Sequence, residues 1–152
     1  MATKIPHKYI PTTLSKKDTR KQRAAILRAR TQYKRGKYVE RPNLASFRSR
    51  KSGHIERARQ IYDVDKIVPS RRLAKKSGCS IAAMNQIVKK GEGAYYSSGS
   101  RPNQTAQSWA YARLASALTG GKSAIVDYHI LEKGCAHNGT AYRLARKTMK
   151  RK

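Results

Sequence analysis

PSRRLAKKSGCSIAAMNQIVKKGEG, residues 69–93, carries the densest helix punctuation of the chain. Pro69 stops what precedes it and Ser70 offers an N-cap oxygen. The spacing predicts a helix over 71–76 ending at Gly78, then a helix over 81–90 capped by Ser80 and ending at Gly91. Leu73, Ala74, Cys79, Met84 and Ile87 are the inward candidates. Ala74, Gly78, Cys79, Met84 and Ile87 also stand at helix-turn-helix spacing. The small residue lets two helices approach, Gly takes the left-handed turn, and the hydrophobes pack the crossing. In a DNA reader the second helix would turn Ser80, Ala82, Ala83, Asn85 and Gln86 toward bases. Asn85 or Gln86 suits an adenine edge, whereas the two alanines offer little to read with. A purely structural αα-hairpin has the same spacing.

Downstream, AYYSSGSRPNQT (94–105) extends the Gly91-Glu92-Gly93 run into a long polar loop. Loops of that length are often functional. No acid interrupts residues 93–126, so Arg101 and the backbone amides suit a phosphate. Tyr95, Tyr96 and Pro102 are expected to pin the loop onto the core. Thr105 caps a helix over 106–118, where Tyr111, Leu114, Ala115 and Leu118 mark one face and Trp109 and Ala112 a neighbouring one. The breadth of that surface predicts a central helix, with Trp109 and Tyr111 in the core and Arg113 at its edge tying down the loop. Gly120-Gly121 stop it. Asp127 caps a short helix over 128–133, and Thr140 caps a basic helix over 141–149. Gly121-Lys122-Ser123 does not make a phosphate loop, because Ser116 stands where that motif needs glycine and the run follows a helix instead of a strand.

Upstream, residues 1–62 hold 18 of the 35 cations and 3 of the 8 acids. Pro6 and Pro11 predict an extended arm at 1–14. Ser15 and Asp18 open a helix over 16–33 with a thin seam of Ile26, Ala29 and Tyr33, too polar to stand alone and ended by Gly36. Residues 37–54 read as a basic linker, and a short helix follows over 55–62. Ile5, Tyr9, Ile10, Tyr38, Leu44 and Phe47 are sparse apolar anchors along these segments, suited to strapping across another surface. The domain reading is therefore a basic arm with one or two docking helices at 1–62, a compact helical domain at 63–138, and a basic C-terminal helix and tail at 139–152. The fold class is mainly α.

The net charge of +27 works against compaction and favours a polyanion or an acidic protein surface as partner. The cations placed to meet it are Arg48, Arg50 and Lys51 in the linker, Arg71, Arg72, Lys75 and Lys76 on the first hairpin helix, Lys89 and Lys90 on the second, and Arg101. Two cysteines, Cys79 and Cys135, do not make a disulfide framework, and the opening residues lack the apolar run of a secretory signal; a reducing compartment is expected. The acids are scattered, and Asp127 and His129 do not converge on a helix, so no catalytic site is expected. Cys79, His129, Cys135 and His137 match no common zinc spacing. Neither a cofactor nor a small-molecule substrate is expected.

GAYYSSGSRPNQT (93–105) followed by SWAYARLASALTGGK (108–122), with YIPTTLSKKD and RPNLASFRSRKS nearer the start, resembles a family of short basic proteins of unassigned function from nucleocytoplasmic large DNA viruses, of chlorella-virus and mimivirus type. The resemblance spans most of the chain and implies a virion component, expected as a minor capsid protein on the inner side of the shell and carrying no catalytic site. Its basic arms would then cement the major capsid protein to minor capsid neighbours, with viral DNA or inner-membrane headgroups as further contacts. Charge alone favours the alternative, a virion-packaged or helix-turn-helix DNA-binding protein.

Overall fold

A computed structural model describes residues 4–49 and 52–151. The chain is mainly α-helical. Among the described residues there are eight α-helices and no strand: α1 Lys16–Lys34, α2 Gly53–Tyr62, α3 Arg71–Ser77, α4 Ile81–Ser97, α5 Ala106–Leu118, α6 Lys122–Val126, α7 Tyr128–Gly134 and α8 Thr140–Lys150.

The residues group into two compact units that are not consecutive in sequence. One joins residues 4–49 to Glu92–Trp109; the other joins 52–91 to 110–151. This differs from boundaries at 62 and 138. The sequence reading divides the chain by where apolar residues and helix punctuation become dense, whereas α4 and α5 each contribute one end to each unit.

In the first unit the N-terminal segment is not an extended arm. His7–Tyr9 form a 3-10 turn and Tyr9 is buried, its ring edge-on to Trp109 at 5.7 Å. Helix α1 begins where Ser15 accepts from the Asp18 amide, and buries Asp18, Gln22, Ile26 and Ala29. Polar Gln22 sits on that seam because its amide donates to the carbonyls of Tyr9 (3.1 Å) and Ser100 (3.3 Å). Asp18 accepts from the amide and hydroxyl of Ser46, which holds its carboxyl below the usual carboxylate range.

Residues 37–49 are clipped to the same unit. The Arg41 guanidinium donates to the Tyr95 carbonyl (2.8 Å) and Ser100 Oγ (2.7 Å) and lies 3.8 Å from the Tyr95 ring centroid. Asn103 accepts from the Leu44 amide and donates to the carbonyls of Leu44 and Phe47. Tyr9 and Leu44, expected to anchor on a partner, are instead buried by their own chain; Ile5, Ile10 and Phe47 are partly buried, and Tyr38 alone of the six anchors is exposed.

The second unit holds the larger core. Ala58 and Tyr62 of α2, Leu73 of α3, Met84 and Ile87 of α4, Leu114 and Leu118 of α5, Leu131 of α7 and Tyr142 of α8 form one cluster with Cys79 and Cys135. Ala74 packs against it only partly buried. The Tyr62 hydroxyl donates to the Leu118 carbonyl, and Thr148 Oγ1 to that of Gly120 (2.7 Å).

Several expectations are corrected here. Helix α4 does not stop at Gly91 but runs on to Ser97, leaving a loop of only 98–105. Gly91 is a packing residue: a Cβ there would lie 2.7 Å from the Ala110 Cα of α5. Trp109 and Tyr111 are half-buried, not core. Asp127 makes no cap bond to α7, and Gly139, not Thr140, stands at the N-cap of α8.

Cys79 and Cys135 are joined in a disulfide, against the expectation of two separate thiols. They oppose each other on an isolated antiparallel bridge, flanked by Ser80 N to Gly134 O and Ala136 N to Gly78 O, both 2.8 Å. The three-residue turn that makes the hairpin, Gly78 to Ser80, thus lies against the end of α7. Gly78 itself has φ +86°, and a Cβ would meet the Gly139 Cα at 3.1 Å. Gly78→Ala is therefore expected to cost about 1–2 kcal/mol, read as a lower denaturation midpoint.

Candidate nucleic-acid interface

The α3–α4 hairpin is built from local signals. Ser70 accepts from the Leu73 amide (3.2 Å), Gly78 closes α3 in the left-handed region, and Ser80 accepts from the Ala83 amide (3.0 Å). Capping bonds of this kind contribute about 1 kcal/mol each. Leu73, Cys79, Met84 and Ile87 are buried and fix the roll of the two helices.

That roll decides which α4 residues face outward. Ile81, Ala82, Asn85, Gln86 and Lys89 are exposed and recur at i, i+1, i+4, i+5 and i+8, one continuous stripe. Ser80, at the helix start, is exposed too. Ala83 does not belong to this stripe; it is buried, because α7 closes over it where Gly134 leaves no side chain. Ile81 takes the place that sequence reasoning gave to Ala83. The alternation Ile81-Ala82-Ala83-Met84 was ambiguous in sequence because all four are apolar.

The cations divide by what they touch. Arg71, Arg72, Lys75 and Lys76 are exposed on α3. Lys89 is exposed at the end of the α4 stripe. Lys90 is not free for a polyanion: its ammonium is 3.2 Å from Asp127, which is fully buried and also takes a paired contact from Arg113, both bonds 2.8 Å. Burial alone pushes the Asp127 carboxyl up, but Arg113 and Lys90 outweigh it and hold the group below its usual range. Arg113 thus holds this carboxylate, where the sequence reading has it tying down the 91–105 loop. Arg48 and Arg101 are exposed and belong to the first unit; Arg50 and Lys51 lie outside the described residues.

Sequence reasoning missed the contribution of α8. Gly139 at its start approaches Gly78 and Ser77 of the hairpin closely, its absent side chain being the reason. From there Arg143, Arg146, Lys147 and Lys150 follow at i, i+3, i+4 and i+7, one exposed stripe. The apolar side of α8, Ala141, Tyr142 and Ala145, is buried. The signal was present in the sequence as a charged stripe, but nothing there told which other element it would join. Within the second unit, α3, α4 as far as Gly91, and α8 carry cations and no acid; the acids Glu56, Asp63, Asp65, Asp127 and Glu132 lie on α2, the residues after it, and the α6–α7 segment.

No curated protein and no solved structure matches the chain. A family model matches residues 6–130, a range that includes the whole α3–α4 hairpin and stops short of Cys135 and α8. The chain belongs to DUF5824, a family of unknown function.

Proposed function

We propose that this protein binds duplex DNA through the α3–α4 hairpin, with the exposed stripe of α4 in the major groove. The observation that carries the reading is the clean split of α4 between a buried edge and an exposed edge holding Asn85 and Gln86. Amides are the side chains that pair with an adenine edge through two hydrogen bonds, and Ala82 and Ile81 offer apolar surface to a thymine methyl. Arg71, Arg72, Lys75, Lys76 and Lys89 would contact phosphates, and the α8 stripe would extend that contact along the backbone. The net charge supplies the sequence-independent part of the affinity through counterion release.

The resemblance to short basic proteins of large DNA viruses supports a viral setting, with the protein packaged in the virion or acting in the host cell during assembly. It also favours a second reading, a minor capsid protein cementing capsomers on the inner side of the shell. Tyr38, an exposed ring on the 37–49 segment, supports that reading as a contact for a capsid neighbour. The burial of Tyr9 and Leu44 within the chain removes two of the anchors it would use.

Titration of a duplex library at several salt concentrations separates the terms. Affinity is expected to fall log-linearly with salt. Arg146→Ala or Lys147→Ala should reduce that slope by about one and leave sequence preference unchanged. Asn85→Ala with Gln86→Ala should relax preference at one or two base pairs by about 1–3 kcal/mol with little change in slope. A protein that stays with the shell after DNA is removed from particles, and whose duplex binding ignores Asn85 and Gln86, would be the cementing protein instead.

A further inference from the structure

The first unit carries an aromatic cluster that the hairpin reading does not use. Tyr33 on the last turn of α1, Tyr38 just beyond it, and Tyr96 near the end of α4 converge. Ring centroids are 5.9 Å apart for Tyr33–Tyr38, 5.1 Å for Tyr38–Tyr96 and 6.5 Å for Tyr33–Tyr96, the last pair within 8° of parallel. Tyr38 is 68% exposed, the most exposed large apolar side chain among the described residues. The cluster is held from behind. Tyr96 meets the buried ring of Tyr95 edge-on at 5.0 Å, and Arg41 lies on that ring. Tyr33 lies against Gly93, where a Cβ would sit 3.6 Å from its hydroxyl.

A single exposed tyrosine needs no explanation, but three rings meeting at the surface form a platform. What it takes is decided by charge. Lys34, Arg35 and Lys37, all exposed, fall between Tyr33 and Tyr38 in the chain, against Glu40 and Glu92 near the Tyr96 hydroxyl. With Arg41 behind, four cations stand against two acids along residues 33–41 and 92–96, a balance that disfavours a quaternary ammonium. A flat π-system on an anionic backbone fits both features.

We propose that Tyr33, Tyr38 and Tyr96 form a stacking platform for an unpaired base of a single-stranded nucleic acid, with Lys34, Arg35 and Lys37 on its phosphates. Paired bases do not expose their faces, so this site is distinct from the duplex contact of α4 and does not depend on it. Stacking of this kind is tolerant of sequence and is worth on the order of tenfold in affinity per base.

The test uses the full chain and a labelled oligothymidylate of about ten nucleotides. Heparin serves as a polyanion without bases. Tyr38→Ala should weaken oligothymidylate binding at least about fivefold and leave heparin binding unchanged, while Tyr38→Phe should stay within about twofold of the parent. Asn85→Ala should leave oligothymidylate binding unchanged, which separates this site from the hairpin. The proposal is overturned if the parent protein does not prefer oligothymidylate to an abasic strand of equal length. It is also overturned if Tyr38→Ala binds oligothymidylate as the parent does, or loses heparin equally.

Discussion

Asp127→Ala is expected to be among the most destabilising single substitutions in the chain, by about 3–5 kcal/mol. The carboxylate is fully buried and is shared by Arg113, through two bonds of 2.8 Å, and Lys90 at 3.2 Å. Removing it takes from Arg113 and Lys90 the buried carboxylate they share. Arg113 and Lys90 keep some access to water, 18% and 40% of their side chains, which places the loss toward the lower end of that range. The same pair sets a pH dependence. Because the folded carboxyl titrates below its unfolded value, its contribution is complete above about pH 4 and disappears as pH falls through the lower folded value. Denaturant midpoints of the parent should therefore fall on acidification below about pH 4 by more than those of Asp127→Asn, which has no such proton to take up.

Reduction of the Cys79–Cys135 disulfide should cost about 4 kcal/mol if its effect is to restore the loop entropy of the unfolded chain. The bond closes a segment with sequence separation 56, long enough for that term to be large. For a chain of this size the loss corresponds to a fall in Tm on the order of 10 °C. Cys79→Ser with Cys135→Ser should reproduce most of the fall without reductant and be insensitive to it. The bond joins the hairpin turn to the end of α7, so the variant should also show faster amide exchange at 78–81 than in α5. Equal melting of the oxidised and reduced parent would show that the bridge contributes nothing to the fold.

The legible parts of this structure are those written in short-range chemistry. Ser15, Ser70 and Thr105 start helices as N-cap residues do, and Gly78 ends one in the left-handed region, because a cap needs only its own turn. The inward residues Leu73, Met84, Ile87, Leu114 and Leu118 follow from helical period and are buried. The illegible parts depend on partners far along the chain. Gly91 resembles a stop signal, but its meaning is the approach of Ala110. Asp127 resembles a cap, but its partners are Arg113 and Lys90. Cys79 and Cys135 carry no local mark of their pairing, and the burial of Gln22 is explained only by carbonyls of Tyr9 and Ser100. At the proposed interface, the exposed Asn85 and Gln86 could be read from the helix-turn-helix spacing. The place of the α8 stripe beside the hairpin could not, because its approach to Gly78 rests on Gly139 lacking a side chain.

The most direct test of the hairpin as a DNA reader is to map amide shifts in an isotope-labelled sample as a short duplex is added at near-physiological salt. The account predicts that the largest perturbations fall on 70–77, on the outward residues Ile81, Ala82, Asn85, Gln86 and Lys89, and along α8 at Arg143, Arg146 and Lys147. Perturbations centred on α2 and the acidic residues Asp63 and Asp65, or an α4 stripe left untouched while the duplex binds, would contradict it.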